Sequence, residues 1–69
     1  MTQKELNYLE DAIGHEENII KICSETISYL EDDDLIDFMN KEVKNHSSIK
    51  NKLMNLMEEK CNEWSIIDG

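Results

Sequence analysis

Two apolar stripes, each stepping by alternating threes and fours and separated by a single acidic break, most constrain how this chain can fold. The first runs Leu6, Leu9, Ile13, Glu16, Ile20, Cys23, Ile27, Leu30. The second runs Leu35, Met39, Glu42, His46, Ile49, Leu53, Leu56, Lys60. Residues spaced three and four apart fall on one side of an α-helix, so each run is one face of a helix. Ala12 and Ile19 widen the first stripe; Ile36, Val43, Met57 and Trp64 widen the second. The absence of proline, the two glycines and the four aromatic residues agree with helices and disfavour strands. The fold class is therefore all-α.

The break is Glu31-Asp32-Asp33-Asp34. Adjacent carboxylates repel, and aspartate favours turns and N-caps over helix interiors. Acids also complement the positive end of a helix dipole, so one of Asp32, Asp33 or Asp34 is expected to cap the second helix. A calcium loop needs spaced oxygen ligands and a glycine, which this run lacks. The first helix opens on a capping box, Thr2 with Glu5 three residues later. The reading is a first helix over about 3–30, a turn at 31–34, a second helix over about 35–63 and a short tail at 64–69. Each helix is then about 28 residues, or about 42 Å. So short a connection makes the helices antiparallel neighbours.

Sixty-nine residues form one small domain and rarely bury enough apolar surface to be stable unaided. Two cysteines, Cys23 and Cys61, are too few for a disulfide scaffold, and nothing resembles a secretory signal, so the expectation is a reduced, cytoplasmic protein. No apolar run approaches the roughly 20 residues that span a bilayer. The net charge of −9 repels nucleic-acid backbones and anionic membranes and leaves cationic partners, metal ions included. A lone pair of helices cannot cover two stripes this broad. Two hairpins packed through a two-fold axis into a four-helix bundle is the simplest solution, with a larger ring as the alternative.

Folding the hairpin about its acidic turn sets Cys23 level with Glu42, Ile20 with His46, and Glu16 with Ile49. Glu16, Cys23, Glu42 and His46 thus occupy three adjacent layers between aliphatic ends. Carboxylates and imidazole bind iron, manganese or zinc, and a two-fold axis would give four glutamates and two histidines. The other reading is a polar core without metal, in which Glu42 and His46 pair at i,i+4 and Glu16 turns to solvent or meets Lys50. Such groups also fix register and partner choice. His15 falls off the stripe and reads as a surface residue. Cys23, Met54, Met57 and Trp64 read as packing.

The segments "TQKELNYLEDAIGHEENIIK" and "LIDFMNKEVKNHSSIKNKLMNLM", with the acidic turn between them, resemble the small rubrerythrin-like and spore-coat proteins of the ferritin-like superfamily. The resemblance covers roughly residues 3–57. It implies a hairpin that is half of a ferritin-like bundle, with Glu16 as the ligand of the first helix and His46 as the histidine of the second. The family's second-helix glutamate lies three residues before the histidine. Here that position is Val43, and the glutamate stands four before, at Glu42, about 100° further round the helix.

Two function classes follow: a ferritin-like hairpin with a weak or degenerate di-metal site, and an acidic interaction module that docks on another protein. Sporulation phosphatases are also short helical hairpins, but their second helix carries Ser-Gln-x-x-x-Asp, and "NHSSIKNK" has no such glutamine and acid. An enzyme acting on an organic substrate is the weakest reading, since no nucleophile–base arrangement and no glycine-rich phosphate loop is present.

Overall fold

The computed structural model describes the backbone of residues 1–68 and the side chains of residues 1–61. It is a hairpin of two helices, α1 (Gln3–Ile27) and α2 (Asp33–Asp68), with no strand among the described residues. The Thr2 hydroxyl accepts from the Glu5 backbone N–H at 3.1 Å, and the Glu5 carboxylate accepts from the Thr2 N–H at 2.9 Å. The capping box is therefore complete, with two otherwise orphaned donors satisfied reciprocally.

α1 stops three residues before the expected end. Ser24, Thr26 and Ser28 each donate a hydroxyl to a carbonyl of the preceding turn, on Ile20, Ile22 and Glu25. Such back-bonding competes with the regular ladder and favours a helix end. The backbone then tightens: Ser28, Tyr29 and Leu30 donate to Glu25, Thr26 and Ile27, three residues back. Among the described residues none takes a positive φ, so the chain turns without a glycine.

Asp32 is the residue that caps the second helix. Its carboxylate accepts from the Leu35 N–H at 3.0 Å, and its carbonyl accepts from the Ile36 N–H at 3.0 Å. Asp33 and Asp34 occupy the first turn, where they favour the positive end of the helix dipole. At the other end α2 stays helical to Asp68, past the point where the sequence suggests a tail. The reason is local: Asn62–Asp68 contains neither glycine nor proline, so nothing ends the helix before Gly69. The Trp64 side chain and Gly69 lie outside the described residues.

Every member of the first stripe is shielded at least in part, from Leu6 to Leu30. The second stripe needs correction. Leu35 and Leu56 are about half exposed and Lys60 is exposed, so they do not face α1. The shielded line of α2 runs instead through Ile36, Met39, Val43, His46, Lys50, Leu53 and Met57. Alternating three–four spacing averages 3.5 residues per turn, and a straight helix has 3.6, so the stripe drifts about 20° per heptad away from the seam. Leu56 has drifted off it, and Leu35 sits where α1 has already ended. The hairpin extends 54 × 16 × 12 Å, too thin to enclose a core. Among the described residues Ile13 alone is buried, at 8% exposure, while Tyr8, Ile22, Tyr29, Leu35, Phe38, Met54 and Leu56 stand largely open.

Candidate functional site

Midway along the hairpin, three polar side chains meet on the seam. Glu16 projects from α1, and Glu42 and His46 project from successive turns of α2. The Glu16 carboxylate meets His46 Nδ1 in a close hydrogen-bonding contact. The Glu42 carboxylate lies 3.5 Å from His46 Nε2, on the other side of the ring. The imidazole is therefore flanked by a carboxylate at each nitrogen. Glu16 and His46 are both mostly shielded, with about a fifth of each side chain exposed. Glu42 sits nearer the rim.

The i,i+4 pairing of Glu42 with His46 is the one the spacing suggests. The Glu16–His46 contact crosses the expected layering, which set Glu16 level with Ile49. Glutamate's two methylenes bridge that offset of three residues. Lys50 does not meet Glu16: its ammonium lies 3.6 Å from Glu17, on the opposite side of the seam. This cross-helix pair was not legible in the stripes, since Glu17 lies outside them. Cys23 and Cys61 are half-buried free thiols, and His15 is exposed, as the sequence suggests.

Chemically, a neutral imidazole carries one N–H and donates to one carboxylate, whereas the doubly protonated ring donates to both. Flanked in this way, His46 holds two acidic groups against each other across the seam. A metal ion would need a ring nitrogen as a lone-pair donor and the carboxylates turned toward the same point. Among the described residues no group of three or more histidine, cysteine, aspartate or glutamate side chains is arranged to hold an ion. Val43 adds no donor on the seam. One hairpin by itself thus does not fit the di-metal centre that the family resemblance implies.

The polar cluster also borders an open face. Tyr8 and the half-buried Ala12 and Ile19 of α1, with Leu35, Phe38, the half-buried Ile49 and Leu56 of α2, step along one side of the hairpin by threes, fours, sevens and, between Phe38 and Ile49, eleven. At the end away from the turn, Met1, Glu5, Tyr8, Leu9, Leu56 and Lys60 line a groove of about 590 Å³. The sequence reading passed over Tyr8 and Phe38. The signal was present in the heptad Leu35, Glu42, Ile49, Leu56, with Phe38 three residues after Leu35.

No family model, curated protein or solved structure matches this chain. The ferritin-like resemblance therefore rests on the two quoted segments alone.

Proposed function

We propose that this chain is a self-association module, in which two hairpins close their open faces on each other as a four-helix bundle. The observation that carries this reading is the exposure pattern among the described residues: one buried hydrophobic residue, Ile13, against seven large hydrophobics left open, of which Tyr8, Leu35, Phe38 and Leu56 lie on the open face. Apolar surface of this extent on so small a chain is stabilising only when it is covered. A second copy is the occupant of choice because the broad side is 54 Å by 16 Å. A standard interface takes about 800 Å² per partner, so covering this side suffices for a stable dimer.

The Glu16–His46–Glu42 cluster is the specificity element of this module. It lies near the middle of each hairpin, so a two-fold axis there brings the two clusters to one level. Unmatched registers would set carboxylates against Ile19 or Phe38 and leave them unpaired, which is costly in a shielded site. The bundle so formed is the architecture that the ferritin-like resemblance implies, with a polar centre in place of a di-metal one.

Sedimentation equilibrium on the untagged protein tests the reading. The expected result is a mass twice that of the chain at micromolar concentration. A folded, stable monomer at that concentration would overturn it.

A further inference from the structure

The hairpin has two unlike ends, and the open face differs between them. At the turn end, Leu35 and Phe38 project from α2, each more than half exposed. At the other end, the same side of the hairpin is hollow: the groove passes between Leu9 of α1 and Leu56 of α2. Phe38 and Leu56 are eighteen residues apart, five full helical turns, and so point to the same side. His46 stands eight residues after Phe38 and ten before Leu56. Those intervals are about 12 Å and about 15 Å along the helix.

From these features we infer that the two copies lie with their acidic turns at opposite ends, each seating Phe38 and Leu35 in the Leu9–Leu56 groove of the other. The inference rests on the self-association reading above and adds its orientation and register. A two-fold axis crossing the bundle beside His46 carries the level of Phe38 to within about 3 Å of the level of Leu56. One turn-end projection then meets one open-end groove, twice over.

Charge selects the same arrangement. Residues 25–37 carry six acids, namely Glu25, Glu31, Asp32, Asp33, Asp34 and Asp37, and no lysine. Residues 1–10 and 52–61 together carry Lys4, Lys52 and Lys60 against Glu5, Glu10, Glu58 and Glu59. Two hairpins with their turns at the same end would bring twelve carboxylates together. Opposed hairpins set each acidic turn beside an end that bears three lysines and is less acidic than the turn, even with Glu63 and Asp68 counted. Like charges brought together weaken an association, and opposite charges steer it into register.

Cysteine cross-linking distinguishes the arrangements. In a background of Cys23→Ala and Cys61→Ala, two single-cysteine proteins are made, Phe38→Cys and Leu56→Cys. Both positions are open in the hairpin, so neither change disturbs the seam. The expected result is that neither protein oxidises to a covalent dimer alone, while an equilibrated mixture yields the mixed dimer. Covalent dimers of Phe38→Cys with itself, from a protein that is dimeric before oxidation, overturn the orientation and leave self-association standing. Monomers in sedimentation overturn both. Should no disulfide form in a dimeric sample, spin labels at the same cysteines decide. Opposed hairpins separate the two position-38 labels by about 24 Å and the two position-56 labels by about 30 Å along the axis. Separations near 10 Å at both positions would reject the inference.

Discussion

At the residue scale, the arrangement around His46 makes its removal more harmful than the removal of the whole cluster. His46→Leu leaves Glu16 and Glu42 on the seam with no hydrogen-bond donor between them. Leaving a shielded acceptor without its partner costs about 1–3 kcal/mol. The triple change Glu16→Leu, Glu42→Leu, His46→Leu removes the charges together, and apolar packing often replaces such a network without loss. Urea denaturation should place the single variant below the parent chain and the triple variant at or above it. A triple variant less stable than His46→Leu would show that the cluster contributes more than the leucines that replace it. The same residues give the metal reading its test. The thermal midpoint is expected to stay unchanged on adding Fe(II), Mn(II) or Zn(II). A specific ion at a hundredfold excess over its dissociation constant would add about 2.7 kcal/mol, an unmistakable shift. The meeting of Glu42 with His46 was legible in the spacing because four residues make nearly one helical turn. Glu16 reaching His46 was legible as a neighbourhood and not as a contact, because layer counting fixes heights and leaves side-chain reach open.

At the element scale, the start of α1 was legible to the residue, the start of α2 only to within the acidic run, since it begins at Asp33 and not at about 35, and the ends were not legible. Starts are encoded by side chains that accept backbone N–H groups, and Thr2, Glu5 and Asp32 each do so. Ends here have no glycine to mark them. α1 stops through the hydroxyls of Ser24, Thr26 and Ser28, a signal spread over five residues. Gly14 offers a direct gain within α1. Its φ is negative, its surroundings are open, and a Cβ added there meets nothing within 4 Å. Gly14→Ala should stabilise the protein by about 0.5–1 kcal/mol, since glycine costs that much in a helix interior. Equilibrium denaturation measures it, and a loss of stability would mean that another chain approaches the backbone at Gly14. The capping box carries a pH dependence. The Thr2 backbone N–H, followed by the Thr2 hydroxyl, holds the Glu5 carboxyl below its ordinary range. A depressed carboxylate contributes stability that is present above its unfolded pKa and lost as pH falls through its folded one. Amide exchange at the first turn of α1 should therefore quicken on acidification below the normal glutamate range. Glu5→Gln should exchange quickly throughout and lose that dependence.

At the scale of the whole molecule, the hairpin leaves one broad side open. The sequence showed that two broad stripes could not cover each other, and the structure gives that argument a shape: a slab 12 Å thick with Ile13 as its one buried hydrophobic among the described residues. What the stripes did not show was which of their members face the partner helix and which face outward, because a drift of about 20° per heptad turns Leu56 about 60° from Leu35, three heptads earlier. Among the described residues no helix is long and apolar enough to cross a membrane.

Coupling between folding and association follows from this thinness. A chain that buries so little alone has no large stability of its own, and an obligate dimer's melting point rises with protomer concentration. The thermal midpoint should therefore climb steadily as concentration is raised from micromolar to hundreds of micromolar. Leu53→Asp places a charge on the seam between α1 and α2, at a cost of several kcal/mol, and should abolish helicity and association together. Phe38→Asp places the same charge on the open side, where the isolated hairpin leaves the ring 57% exposed. In a monomer that substitution would be nearly silent, as exposed substitutions generally are. In the bundle it should lower the midpoint clearly without abolishing the fold, and the loss should diminish as concentration rises. Asn18→Asp, on the exposed polar side of α1, serves as the control and should leave the midpoint within a degree or two of the parent chain. Circular dichroism melts of the three variants at two concentrations separate the outcomes: a silent Phe38→Asp with a concentration-independent midpoint would mean that the hairpin stands alone.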